Sequence, residues 1–327
     1  MNKRFFLLLT VLPSLSLASC VSSRHAISDY VLEMDYANDF RILQITDLHL
    51  GDKDDIQRHF DFMDLTINEA NPDLIAVTGD LFTYASKGTA RRLLDYFDSH
   101  SVPWTVIFGN HDEQCYFSID WLTDQLNNYG SHCLFKDIQD DDVHGNCNFA
   151  INLKKDGKVF EQLIFMDSNR YYFGSYFGYD YFKQNQIDWY ASLIDETTRD
   201  NGGTVVPSLM FYHIPLPEVN EAWAAAEKDP SLNVNGGSQG ENPCNPEFNS
   251  GFFQVIKEKG STKGMYFGHD HVNNYIVNYQ GIDFGYGIKA TDRVYYQDSL
   301  LGGRVISLHD DNTMSYQDYY HTYAEVK

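Results

Sequence analysis

Five short stretches of the chain end in residue types that hold cations or move protons. ITDLHL carries Asp47 and His49, VTGDLF carries Asp80, and IFGNHDE carries Asn110, His111 and Asp112. FYHIPLPE carries His213, and MYFGHDHVNN carries His269 and His271 on either side of Asp270. Carboxylate, amide oxygen and imidazole suit borderline ions such as Fe, Zn or Mn, and no thiolate is required. In a strand, residues two apart share a face, which would pair Asp47 with His49 and His269 with His271. Each signal alone is weak: a Gly-Asp after a strand is commonly a turn, and His213 reads equally as a satisfied core histidine. Five of them, each closing an apolar run, point to one shared site.

The runs that must deliver these residues are RILQIT (41–46), LIAVTG (74–79) and WTVIFG (104–109), then LIFMDS (163–168), SLMFYH (208–213) and GMYFGH (264–269). All are of strand length. Helical spacing appears between them, at Ile56, Phe60, Met63 and Ile67, at Ala90, Leu93, Leu94 and Phe97, and at Ile187, Tyr190, Leu193 and Ile194. Pro72 and Pro103 stand where a helix must give way to a strand. Strand-helix-strand order predicts an α/β fold with mainly parallel, buried sheet and helices outside. The C-terminal ends of such strands open onto one edge, where ligands bind. Gly79, Gly109 and Gly268 would let the backbone bend and approach an ion. Residues 147–168 read as a hairpin turning at Lys155-Asp156-Gly157-Lys158, and the chain from 275 onward reads as an antiparallel ending. Residues 229–250 read as a long polar loop within the domain.

Taken together and in order, Asp47-x-His49, Gly79-Asp80, Gly109-Asn110-His111-Asp112, His213 and Gly268-His269-x-His271 resemble the motifs of calcineurin-like metallophosphoesterases. FYHIPLPE, GHDHVNNY and FGYG resemble the branch of that family typified by purple acid phosphatase 29. The resemblance runs from about residue 40 to about residue 290. It implies a four-layer αββα sandwich of two mixed β-sheets flanked by helices, with a dinuclear metal centre. It assigns one ion to Asp47, His49, Asp80 and His271, the other to Asp80, Asn110, His213 and His269, with Asp80 bridging. It makes His111 the catalytic residue, over the substrate, and implies in-line attack on a phosphate ester by a hydroxide bridging two metal ions (Mn, Fe or Zn). Asp112 is a candidate for orienting His111. True purple acid phosphatases carry a tyrosine ligand three residues after the bridging aspartate; here that position is Thr83, and Tyr84 is not assumed to ligate. The alternatives are a phosphodiesterase or nucleotidase on the same site, or a surface-binding lipoprotein that keeps the fold without catalysis.

Weaker candidates for substrate binding are Arg170, which could grip phosphate or be a solvated loop residue, and Asn249, which reads equally as site-facing or as a helix cap. The aromatic run 171–182 could be a rim for the leaving group or part of the core. Net charge is −22, which repels nucleic acid, so the expected partner is a small phosphorylated substrate.

MNKR, FFLLLTVL and the lipobox-like Leu17-Ala18-Ser19-Cys20 predict a lipoprotein signal peptide at 1–19. A lipidated Cys20 with a tether through residue 36 would follow, then a single domain at 37–327. This predicts a bacterial envelope protein, exported and held at the outer membrane, periplasmic side or cell surface by its lipid alone. The remaining cysteines suggest two disulfides in an oxidising compartment, Cys133–Cys147 and Cys115–Cys244.

Overall fold

In the computed structural model, which describes residues 25–138, 142–175 and 177–326, the apolar runs are strands. The signal segment and Cys20 lie outside the described residues. In chain order the first elements are β1 (Val31–Asp35), β2 (Phe40–Ile45), α1 (Ile56–Ala70), β3 (Leu74–Thr78), α2 (Lys87–Ser99), β4 (Trp104–Ile107) and α3 (Ile119–Asn127). A hairpin follows, β5 (Phe149–Lys155) and β6 (Lys158–Phe165), then a second, β7 (Tyr171–Phe173) and β8 (Phe177–Tyr179). The second half comprises α4 (Gln184–Asp200), β9 (Ser208–Phe211), α5 (Val219–Lys228), α6 (Phe252–Lys259) and β10 (Thr262–Phe267). It closes with β11 (Ile276–Tyr279), β12 (Ile282–Tyr286), β13 (Gly302–Leu308) and β14 (Met314–Tyr320).

Two large mixed sheets result. One has the order β1-β5-β6-β9-β10-β12-β11, the other β14-β13-β2-β3-β4. β2, β3 and β4 are parallel, as are β6, β9 and β10, so both sheets send a group of strand C-termini to one edge. The helices begin and end where local chemistry dictates. Asp55, Ser86 and Ser118 cap α1, α2 and α3 by accepting bonds from backbone N–H groups three residues on. α1 stops at a left-handed Asn71, φ 43°, immediately before Pro72. Its apolar face packs on β13 and β14, while α5 and α6 pack on the larger sheet.

Arg304 of β13 joins the two sheets and is fully buried. It donates to Asp318 at 2.6 and 2.9 Å, to the carbonyl of Asn274 at 2.6 Å and to that of Tyr286.

Two expectations are corrected and one holds. The sheet begins at Val31, inside the stretch read as tether through residue 36, because β1 pairs in parallel with β5 from Val31 to Asp35. The antiparallel ending is present as β11–β12 and β13–β14, with β14 an edge strand whose inner and outer residues alternate. All four described cysteines are free thiols, so Cys133–Cys147 and Cys115–Cys244 do not form. Cys133 faces the carbonyl of Leu126 and Cys244 lies beside the carboxylate of Asp270. Burial pushes both thiols up to about 12.

Candidate metal centre

The five motifs meet at the seam where the strand ends of the two sheets converge. β2, β3 and β4 bring Asp47, His49, Asp80, Asn110 and His111; β9 and β10 bring His213, His269 and His271. Strand alternation is not the reason. β2 ends at Ile45 and β10 at Phe267, before the first of these side chains. Asp47 (φ 56°), His49 (φ 50°), Asp80 (φ 52°) and His269 (φ 79°) instead lie in the left-handed region. For residues other than glycine that conformation costs on the order of 1 kcal/mol or more and persists only where surroundings enforce it. Enforcement comes from the backbone: Asp47 N donates to the carbonyl of Gly79 at 3.1 Å and His49 N to that of Asp80 at 2.9 Å. The approach is close enough to exclude side chains. A β-carbon on Gly79 would lie 2.5 Å from His213 Nδ1, and one on Gly268 would lie 2.0 Å from Thr46 Oγ1.

Seven side chains converge as acceptors. Asp47, His49 and His271 form one group, Asp80, His213 and His269 another, the donor atoms within each lying no more than 4.8 Å apart. Asp80 Oδ2 is 3.3 Å from His213 Nε2 and 3.6 Å from His49 Nε2, which puts it between the groups. Asp47 Oδ1 is 3.3 Å from His271 Nε2, and the Nε2 atoms of His49 and His271 are 3.0 Å apart. The outward ring nitrogens are occupied: His213 Nδ1 by the carbonyl of Thr78 (2.8 Å), His271 Nδ1 by that of Tyr295 (2.7 Å) and His49 Nδ1 by Thr83 Oγ1 (2.9 Å). A neutral histidine donating from Nδ1 to a carbonyl presents a lone pair at Nε2. Asn110 is aligned likewise: its Nδ2 donates to the Tyr171 hydroxyl at 3.0 Å, turning the amide oxygen inward.

The consequence is a buried set of acceptors facing each other with few donors, His111 N to Asp80 Oδ1 at 2.8 Å and His269 N to Asp47 Oδ2 at 3.0 Å. Asp47 Oδ1, Asn110 Oδ1, His213 Nε2 and His269 Nε2 are all buried and without a hydrogen-bond partner. Buried polar atoms are almost always paired, and four orphans in one cluster demand a missing electrophile. Oxygen and imidazole donors of this number and spacing fit two cations. Burial opposes a charge on His213, but the Asp80 carboxylate overrides it and pushes the imidazole up to about 10.

His111 lies at the mouth, its ring edge-on to His49 with centroids 5.0 Å apart. Its backbone N–H donates to Asp80 Oδ1 at 2.8 Å, and its Nδ1 lies 2.8 Å from Gln114 Oε1. Asp112 does not orient it. That carboxylate accepts from Gly109 N at 2.7 Å and Phe82 N at 3.0 Å, holding the turn after β4. The single 3₁₀ turn over Asp112–Gln114 brings residue i+3, not i+1, back over His111. Tyr84 is mostly exposed, and Thr83 serves instead as the partner of His49.

Arg170 ion-pairs with Glu113 at the wall of an adjoining cleft of about 790 Å³, also lined by Gly109, Asp167 and Tyr171. Asn249 donates to Glu218 at 2.7 Å and accepts from Gly251 N at 2.8 Å, which fits the reading of it as a residue that shapes the start of α6. Sequence reasoning missed the supporting residues. Tyr295 stacks on His271 at 4.0 Å and donates to Glu241, and the buried Lys289 ammonium donates to the carbonyl of Asp47 at 2.7 Å. None stands beside a motif residue in sequence, so no local signal marks them.

The chain belongs to the calcineurin-like phosphoesterase family, whose family model matches residues 40–273. By class it is a phosphoric ester hydrolase. It is 28% identical over 283 residues to probable inactive purple acid phosphatase 29 of Arabidopsis thaliana, covering 76% of this chain and 71% of that one. It is 26% identical to phosphatase DCR2 of Saccharomyces cerevisiae, covering 73% of this chain and 45% of that one. A dimetal phosphatase from Danio rerio shares the fold with a TM-score of 0.55 at 13% identity, covering 86% of this chain and 96% of that one.

Proposed function

We propose that the chain is an active two-metal phosphoesterase that hydrolyses small phosphate esters by in-line attack of water on phosphorus, with no phosphoenzyme. The observation that carries this is the convergence of unpartnered acceptors, with Asp80 between two donor groups. Asp47, His49, Asp80 and His271 would hold one ion; Asp80, Asn110, His213 and His269 would hold the other. When bound, such a pair supplies Lewis acidity towards water and phosphate oxygens. With histidines neutral, only Asp47 and Asp80 offset two cations, so the pocket attracts a phosphate despite the acidic protein around it. His111, steadied through Nδ1 by Gln114 and set with His49 and Asp80 beside the donors, would protonate the leaving oxygen. Thr83 supplies no tyrosinate, so iron-loaded protein is expected to lack a purple absorption band.

The runner-up within enzymes is a diesterase or nucleotidase, which the same donors serve. The scaffold reading has in its favour the word "inactive" in the plant relative's name. Against it stands a donor set with no member replaced. Reconstitution with Mn, Zn and Fe separately, followed by assay on phosphomonoesters and phosphodiesters, tests all three. Two bound ions with no turnover across the panel would favour the scaffold.

We also propose that the domain is single, begins ahead of β1, and hangs from a lipidated Cys20 in a bacterial envelope. Among the described residues no helix is long and apolar enough to cross a membrane; the lipid anchor rests on the Leu17-Ala18-Ser19-Cys20 motif alone. Metabolic labelling with a fatty acid, lost in Cys20→Ser, is the expected result.

A further inference from the structure

Between β6 and α4 the chain doubles back as the β7–β8 hairpin, which pairs Tyr171 with Tyr179 and Phe173 with Phe177. Alternate residues of a strand share a face. All four of these residues are aromatic and their rings touch. Tyr171 stacks on Phe177 and on Tyr179 with centroids 5.9 and 5.7 Å apart, and Phe173 meets Phe177 at 5.2 Å. Tyr172, on the other face, packs towards Tyr181 at the hairpin's base.

The ladder has an inner and an outer end. At the inner end the Tyr171 hydroxyl takes the hydrogen bond from Asn110, and Tyr179 packs edge-on against His269 at 4.4 Å. At the outer end Phe173 and Phe177 are 77% and 71% exposed. A continuous aromatic surface thus runs from two of the converging donors to solvent. A core role would bury the outer pair, and a purely supporting role for Asn110 and His269 would need only the inner pair.

We infer that the β7–β8 hairpin is a specificity wall that receives an aromatic or otherwise apolar leaving group of the phosphoester. The inference rests on the phosphoesterase reading above. It deepens that reading by naming the substrate class: phosphate esters of ring-bearing or bulky apolar alcohols, whose polar end lies at the donors and whose apolar end lies along the rings.

The test is equilibrium binding of phenylphosphonate and methylphosphonate to the manganese-loaded protein by calorimetry, which does not depend on turnover. The parent is expected to prefer the phenyl compound by about tenfold, the scale of one or two ring contacts. In F173S/F177S the preference should fall to about twofold, and in F173S alone to a value between. Manganese content and the unfolding midpoint, compared with the parent's, show that each variant is folded. Equal affinity for the two phosphonates in the parent, or an unchanged preference in the folded double variant, overturns the inference alone. Failure of both phosphonates to bind the loaded parent sinks the phosphoesterase reading and this inference with it.

Discussion

Arg304 and the converging donors are both buried polar groups in the seam between the same two sheets, yet one set is complete and the other is not. Arg304 meets a carboxylate and two carbonyls, so its donors are matched by acceptors at hand. The second cluster has seven acceptor side chains, and four of their buried atoms have no partner. A satisfied network rigidifies a fold. An unsatisfied one of this size persists only if something outside the chain completes it. The difference separates polar burial that serves structure from polar burial that serves chemistry.

That comparison can be broken at several points. Asp80→Asn should do most: several kcal/mol of transition-state stabilisation lost, on the order of 10³-fold or more in kcat, with bound metal reduced by elemental analysis. Arg304→Met should do the converse, lowering unfolding free energy by about 3–5 kcal/mol in denaturant titrations because Asp318 is left without its partner. In the protein that remains folded, metal stoichiometry should be unchanged. Chelation of the parent should lower stability by about 4 kcal/mol for each ion, about 8 kcal/mol for the pair, if both are normally present at about 1,000 times their dissociation constants. Arg304→Met should show the same decrement, since the two clusters do not share partners.

Gln114→Ala sharpens the contrast within the site. It touches His111 but no donor, so kcat should fall about ten- to a hundredfold with metal content intact and the pH profile altered. A variant that instead loses metal would make Gln114 structural. The smallest effect concerns Glu161 of β6, a buried group outside both clusters. Burial pushes its carboxyl up to about 8, with Lys263 pulling the other way. The folded state therefore holds a proton that the unfolded state has released. The stability linked to it is whole below about pH 4.5 and is lost as pH rises through about 8. Glu161→Gln should raise the unfolding midpoint at pH 9 by about 2–4 °C and leave it unmoved at pH 4.

The donors were legible because metal ligation restricts residue type severely and because parallel strand ends gather at one edge. His269 and His271 could be found from spacing, although the reason given for their pairing was wrong: a left-handed turn, not strand alternation, brings them to the site. The supports were illegible for a different reason. Gln114 acts through a 3₁₀ turn that composition does not announce, and Tyr295 reaches His271 from 24 residues away. The aromatic run 171–182 could not be sorted into rim or core until the hairpin's register assigned its faces. Four cysteines are an even number, but only coordinates show that they remain apart. β1 and β14 are edge strands with little apolar contrast, and such strands leave the faintest trace in sequence.

Each proposed ion would take its donors from both sheets: Asp47, His49 and Asp80 with His271, and Asp80 and Asn110 with His213 and His269. Neither half of the sandwich can assemble a coordination sphere by itself. Tight loading must therefore come last, after the halves have docked, and a chain that misassembles would fail to capture its cations at all. Metal uptake would then act as a proof that folding has finished.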